Sequence, residues 1–285
     1  MRLKLVQIFL LFILASSTVF AQNSGDGFEF YKVGRVLRAD KQMKINAKIS
    51  GSIEKMKISG TMDMNEKKIY DVTILEMNES TPTKMEVFVN EDSEKQDMKM
   101  VVAGENNNEN NVKDSPLKGK TILCTNVNGT WEKSIQGVES PSDEQLDELN
   151  RFEVPVDNAI DFSKVPKDVK PGYVWNVGKD ESAELFGSSE DNPFKDGTMK
   201  LKLKKVVNAK DERGYLWDVE LATDGKNNTN ENMNINLTLK GSLNMTNKNF
   251  TMDLKGPMTI VTKQGDMTMT MKGPAALVWK KYQIK

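Results

Sequence analysis

The chain has 285 residues, with 40 basic and 41 acidic side chains, a single cysteine and no histidine. Without histidine there is no Ser-His-Asp or Cys-His catalysis and no His-based zinc or copper site, and one cysteine allows neither an intrachain disulfide nor a thiolate metal centre. The balanced charge gives no electrostatic reason to bind nucleic acid or an anionic membrane.

The first residues, MRLKLVQIFLLFILASSTVFAQ, read as a secretory signal. Arg2 and Lys4 form the charged start, Leu5 to Ala15 the apolar run, and small residues lead to a cut after Ala21. The run is short for a membrane span. The expected product is an exported protein, periplasmic or extracellular, beginning at Gln22. Removing Arg2 and Lys4 from the 40 basic residues leaves 38 against 41 acidic ones, a net charge of −3.

From 22 to 140 the pattern is of an antiparallel β lobe. Met43, Ile45, Ala47 and Ile49 alternate with polar residues, and Met56, Ile58, Gly60, Met62 and Met64 do so on the opposite parity. Further strands are expected at Tyr70 to Ile74, Met85 to Val89, Met98 to Val102, Thr121 to Cys124 and Trp131 to Ile135. The tract GENNNENN, Gly104 to Asn111, is expected to be a loop. Cys124 keeps step with Ile122 and reads as a buried small hydrophobe.

Residues 141 to 177 form a helix and a connector. Ser142 and Gln145 make a capping-box pair after Pro141, and Leu146, Leu149 and Phe152 give an apolar stripe. The stretch VPKDVKPGYVW, Val165 to Trp175, then reads as extended chain leading into a strand. A polar loop carrying Leu185 and Phe186 is expected from Gly178 to Gly197.

The second lobe, 178 to 285, holds a hairpin over Met199–Val207 and Tyr215–Leu221, then a three-stranded meander. Its strands keep one apolar parity each: Met233 to Met245, Phe250 to Ile260, and Met267 to Trp279. Gly241, Gly256 and Gly273 sit on that parity without shifting it, which predicts bends that preserve register. Pro257 and Pro274 follow two of them, and each lacks an N–H, so strand pairing should part there. The fold class expected is mainly β: strongly curved antiparallel sheets, barrel, half-barrel or sandwich-like, with one connecting helix.

Methionine is the unusual component, at 17 residues. Met62/Met64, Met98/Met100 and Met267/Met269/Met271 place thioethers on one side of a strand, which cuprous copper accepts. Yet each occupies a slot that leucine or isoleucine fills elsewhere, and no histidine or clustered carboxylate accompanies them, so core use is expected and no metal or cofactor is assigned. Methionine repacks around varied partners more readily than branched residues do. The expected site is therefore a hollow lined by Met62, Met64, Leu237, Leu239, Met252, Leu254, Met258, Met267, Met269 and Met271, taking an apolar or lipid-like molecule. The alternative is a filled core in an envelope protein that contacts a protein partner.

Carboxylates supply no catalytic pair. Asp143, Glu144, Asp147 and Glu148 surround a helix, Glu190 and Asp191 lie in a loop, and DGKNNTNEN, Asp224 to Asn232, lacks the spacing of a calcium loop. A non-enzymatic protein is expected. Aromatics are 7% of the chain, form no girdles, and the terminus KKYQIK is charged, which disfavours a membrane barrel.

The segment LKGKTILCTNVNGTWEKSIQG, a helix, then Pro166, Val169, Gly172 and Trp175 in VPKDVKPGYVW resembles a layout of uncharacterised exported bacterial β-proteins. That resemblance implies an exported location and β architecture. A curved antiparallel sheet with few helices is also similar, at the level of fold, to periplasmic lipoprotein carriers, whose half-barrels hold acyl chains.

Overall fold

The computed structural model describes residues 31–285 except 80, 153, 156–164, 167, 178–196, 211 and 227–232. The expected signal at 1–21, the loop with Leu185, Phe186, Glu190 and Asp191, and most of the DGKNNTNEN stretch lie outside the described residues.

One curved antiparallel sheet organises the described chain. Strands β1 (Val36–Ile53), β2 (Met56–Asn78), β3 (Thr81–Val102), β4 (Glu105–Asp114), β5 (Thr121–Val127) and β6 (Thr130–Ile135) precede helix α1 (Asp143–Arg151). After it come β7 (Val174–Val177), β8 (Thr198–Ala209), β9 (Glu212–Lys226), β10 (Met233–Thr246), β11 (Asn249–Gln264) and β12 (Met267–Gln283). Their order is β6-β5-β3-β2-β1-β12-β11-β10-β9-β8-β7, with β4 added beside β3. The path stays open, with β6 at one end and β7 at the other, and the first and last strands pair in its middle.

Tight hairpins connect neighbouring strands. Glu54–Lys55, Ala103–Gly104 and Asn128–Gly129 all have positive φ, the mirror-image turn that matches strand twist. The last is held by Gly129 N–H donating to Asn126 Oδ1 at 2.9 Å.

Alternation decides which face is inside. Leu37, Ala39, Ile45, Ala47 and Ile49 on β1, and Ile58, Met62, Met64, Tyr70, Val72 and Ile74 on β2, are all buried on one face. On β3 the buried set switches from Met85, Val87 and Val89 to Asp92, Gln96, Met98 and Met100. The cause is a bulge: Ile69 pairs with Glu91 and Tyr70 with Val89, leaving Asn90 unmatched. Without that extra residue half of β3 would turn its apolar side outward.

The meander forms as the alternation requires, and its glycines keep both register and face. A Cβ on Gly241 would stand 1.8 Å from Asp253 O, on Gly256 1.8 Å from Thr238 O, and on Gly273 1.8 Å from Asn46 O. These glycines step across β10, β11 and β12 by two residues per strand, since Gly241 pairs with Leu254 and Gly256 with Ala275. They mark a diagonal crease where neighbouring backbones come too close for a side chain. Pairing breaks beside it as expected. The β10·β11 ladder is interrupted between Leu237↔Met258 and Lys240↔Lys255, and β1·β12 between Ile45↔Ala275 and Lys48↔Lys272, each resuming in the same register. Pro257 and Pro274 face each other across the intact β11·β12 ladder, with their missing N–H groups toward the interrupted sides.

Three expectations need correction. GENNNENN is no loop: most of it forms β4, paired to β3 from Ser93↔Asp114 to Val102↔Glu105. β3 outruns β5, and its free edge takes the Asn-rich segment by backbone bonding alone, leaving the side chains in solvent. The short strands expected before residue 103 merge into long ones of 18, 23 and 22 residues. Lastly, Leu146 faces solvent at 43% exposure while Leu149 and Phe152 turn inward. The helix itself is capped as expected: Ser142 Oγ accepts from Gln145 N–H, and Gln145 Oε1 accepts from Ser142 N–H.

Candidate functional site

The interior face is built from rows that cross the strands. One runs Met98–Met62–Ala47, and beyond the crease Gly273–Met258–Leu237. Its neighbour runs Met100–Gly60–Ile49–Met271–Ile260–Ile235. Large methionines thus stand beside alanine or glycine, which lets the rows interlock on a curved surface. Of the residues expected to line a hollow, Met62, Met64, Leu237, Leu239, Met252, Leu254, Met258, Met269 and Met271 are buried on this face, none above 6% exposed. Met267 is half-buried, at the β11–β12 turn opposite Gln264. Met62 and Met98 are direct cross-strand partners, and β1 separates Met62 and Met64 from Met269 and Met271. Cys124 is fully buried.

Two adjacent rows break the apolar rule, and alternation alone did not single them out. They run Trp279–Lys41–Lys68–Asp92 and Leu277–Met43–Glu66–Glu94. Lys41 keeps the inward parity of Ala39 and Ile45, and Glu66 and Lys68 keep that of Met64 and Tyr70. The sequence signal was available in MDMNEKKIY, where charge continues the apolar step, but it reads there as the gap between two strands.

These charges are held tightly. Lys68 Nζ lies 2.8 Å from Glu66 Oε1, the side chains being 25% and 7% exposed. Tyr70 Oη donates to Asp92 Oδ2 at 3.3 Å. The Lys41 ammonium sits 5.9 Å from the centre of the Trp279 ring. Glu66 Oε2 is buried with no hydrogen-bond partner among the described residues.

Burial alone would lower the pKa of Lys68, but the carboxylate of Glu66, together with Tyr70 and Asp92, holds it well above the ordinary lysine value. Burial pushes the Tyr70 phenol well above its usual value against the pull of Lys68. It also raises the Asp92 carboxyl, with Lys68 opposing and Glu148 and Glu66 adding to the rise. Glu94 is raised by burial and then by Glu66, with Lys113 and Lys68 opposing.

Helix α1 and the chain after it cover the neighbouring row, Lys281–Ala39–Tyr70–Val89. Lys133 Nζ donates to the carbonyls of Asn150 and Phe152 at 3.1 and 2.9 Å, anchoring the helix C-terminus. Phe152 then meets the Tyr70 ring edge-on at 5.4 Å. Lys281, inside the terminus KKYQIK, is fully buried and donates to Tyr31 Oη and Pro155 O, both at 2.8 Å. Further along, Tyr173 and Trp175 pack near Trp217 of β9, with ring centres 6.4 and 6.5 Å apart. Pro166, Val169 and Pro171, from the motif segment, line an open surface pocket of about 440 Å³.

Among the described residues no group of three or more Asp, Glu, Cys or His side chains is arranged to hold a metal ion. No helix among them is long and apolar enough to cross a membrane.

No protein-family model matches the chain, and no curated protein is similar to it in sequence. Likeness to solved structures is distant. A lipovitellin structure concerned with lipid–protein interactions aligns with 87% of this chain at 9% identity and a TM-score of 0.32, and this chain spans only 25% of that one. A β-barrel-like protein with a domain of unknown function from Brucella abortus aligns over 90% of this chain and 100% of its own, at 14% identity and a TM-score of 0.17. An outer membrane channel from Pseudomonas putida F1 aligns over 92% and 99%, at 7% identity and a TM-score of 0.22. The chain therefore has a weak resemblance to β-rich proteins, one of them of unknown function, and scores of this size assign no activity.

Proposed function

We propose that this is an exported, non-enzymatic protein that binds an apolar, lipid-like molecule on the interior face of its curved sheet. The observation that carries the reading is the methionine content of that face. Met62, Met64, Met98, Met252, Met258, Met269 and Met271 are buried on one side of one sheet. Unbranched thioether side chains can exchange contacts with one another for contacts with a guest at small cost. Export rests on the charged start, apolar run and small residues of the first 21 positions. The absence of histidine and the single cysteine support binding rather than catalysis.

A specific observation favours a second reading, an envelope interaction protein with a filled core. Met62 and Met271 are 1% exposed and Leu254 0%, so their contacts are already made within the chain. One experiment separates the two. The purified protein is titrated with N-phenylnaphthylamine, a dye that brightens in apolar surroundings, and then with dodecanol. Saturable brightening reversed by dodecanol supports the binding reading. A flat titration refutes it and leaves the filled core, to be pursued by capture of a protein partner from envelope extract.

A further inference from the structure

The two charged rows pose a physical problem that a filled β core would avoid. Lys41 stands directly opposite Lys68, and Glu66 directly opposite Glu94. Like charges in facing positions repel, and here Glu66 is buried while Lys41, Lys68 and Glu94 are half-buried. Four strands meet here, and their inward face beside these rows is largely apolar, interrupted by the buried Gln96 on β3 and Lys281 on β12. A core selected only for stability would continue Met, Leu and Ile through them.

Inside the two rows acids outnumber bases by three to two, before Lys113 of β4 is counted. Within the two rows Lys41 and Lys68 face Glu66, Asp92 and Glu94, and Glu148 of α1 adds a further acid close enough to raise Asp92. Lys41 is engaged with the Trp279 ring. Lys68 is committed to Glu66 Oε1, leaving Oε2 of the same carboxylate buried and without a hydrogen bond among the described residues. A buried carboxylate oxygen without a donor costs free energy that a ligand N–H would recover. The carboxyls of Asp92 and Glu94 are raised first by burial, and the acids Glu148 and Glu66 add to the rise while Lys68 and Lys113 oppose it. Lys113 is the other base acting on Glu94, from β4.

The surroundings suit an amphiphile. Met43 and Leu277 share the row with Glu66 and are only half-buried, so this part of the interior face keeps accessible surface. On one side lies the row of Ala275, Ile45, Met64 and the buried Gln96, and beyond it the methionine rows. On the other side the Tyr70–Phe152 contact and the Lys281–Pro155 hydrogen bond close the face. A molecule entering at the charged rows can therefore run its chain in one direction, over the methionines.

We propose that Glu66, with Asp92 and Glu94 around it, seats the protonated amine of a lipid-like amphiphile whose chain lies along the methionine rows. This rests on the interior face being a ligand site, and it names the ligand class: cationic head, apolar tail. Anionic amphiphiles such as fatty acids are disfavoured by the same carboxylates. The amine donates to Glu66 Oε2 and pairs its charge with that carboxylate.

The test compares dodecylamine, dodecanol and dodecanoate, each below its micelle threshold, as competitors of bound N-phenylnaphthylamine. Dodecylamine is expected to compete at least about tenfold more strongly than dodecanoate, the worth of roughly one charge-assisted hydrogen bond. Glu66→Gln should remove most of that advantage and leave dodecanol unchanged. Glu76→Gln, an acid 62% exposed in a surface pair with Lys84, should change nothing. If Glu66→Gln does not fold by circular dichroism, Glu94→Gln and the wild-type ranking decide. Equal competition by amine and acid, or an amine advantage that survives both substitutions, overturns this inference while binding itself stands. Failure of dodecanol to compete at all overturns the binding reading and this one with it.

Discussion

The crease is the most direct structural claim to test, through Gly256→Ala. A methyl group there would stand 1.8 Å from Thr238 O, 2.9 Å from Thr238 C and 3.1 Å from Leu239 Cα, where ordinary contact begins near 3.4 Å. The obstacle is backbone, so no side chain can swing away, and β10 must retreat by about 1.6 Å, the difference between 3.4 and 1.8. Thr238 and Leu239 already lack register partners in β11, so the strain passes to the β9 ladder through Thr238↔Ala222 and Leu239↔Leu221. Overpacking of this kind costs about 1–3 kcal/mol, and a rigid obstacle points to the upper end. Alanine recovers about 0.4–1 kcal/mol by restricting the unfolded chain. The net expectation is a loss of about 2 kcal/mol, read as a lower urea midpoint with an unchanged slope. A variant as stable as the parent would show that the close approach is not needed, and that the sheet curves for another reason.

Other expectations concern charge and capping. Arg38 grips Asp71 with two hydrogen bonds of 2.7 and 2.8 Å, which hold the Asp71 carboxyl below its usual range. The stabilisation is present above the unfolded carboxylate value of about 4 and is lost as pH falls through the lower folded value. With side chains 35% and 21% exposed, Asp71→Asn should cost no more than about 1 kcal/mol at neutral pH and progressively less in acid, by denaturation at stepped pH. Asp92 and Glu94 act with the opposite sign. Their raised folded values mean that stability declines as pH rises from the ordinary carboxylate range, and Asp92→Asn should flatten that slope. Ser142→Ala removes the acceptor for Gln145 N–H and should cost about 1 kcal/mol, seen as faster amide exchange at the start of α1.

What could be read from the chain alone divides by the range of the physics involved. Period-two alternation in β10 to β12, the glycine crease and the Ser142–Gln145 cap depend on neighbours in sequence, and all three were legible. β4 was not, because asparagines form a strand only where another strand offers its edge, and the unmatched length of β3 is not visible in GENNNENN. Leu146 was misplaced because the helix buries Leu149 and the chain after it sets Phe152 on Tyr70, a choice made by the sheet. The candidate site shows the same division. Its methionine face follows from alternation, whereas Lys41, Glu66, Lys68 and Asp92 interrupt the apolar pattern and read as strand ends. Only the ladders show that the strands continue through them, and for Asp92 the parity itself depends on the bulge at Asn90.

The position of the charged rows in the topology bears on how such a costly arrangement survives. The row Trp279–Lys41–Lys68–Asp92 crosses the junction of β1 with β12, strands at opposite ends of the described chain. Hairpins such as β2–β3 and β11–β12 can form from local contacts, but Lys41 meets Trp279 only when the ends of the chain pair. Closing so long a loop adds little to the thermodynamic cost, since each doubling of length adds only about 0.6 kcal/mol, yet it delays formation. The apolar rows on both sides of the junction then hold the like-charged pairs in register, because a slip of one residue would expose every methionine of the face. The repulsion between Glu66 and Glu94 is thus borne by a sheet whose stability comes from elsewhere. That is the condition under which an interior can keep a carboxylate oxygen without a hydrogen bond among the described residues.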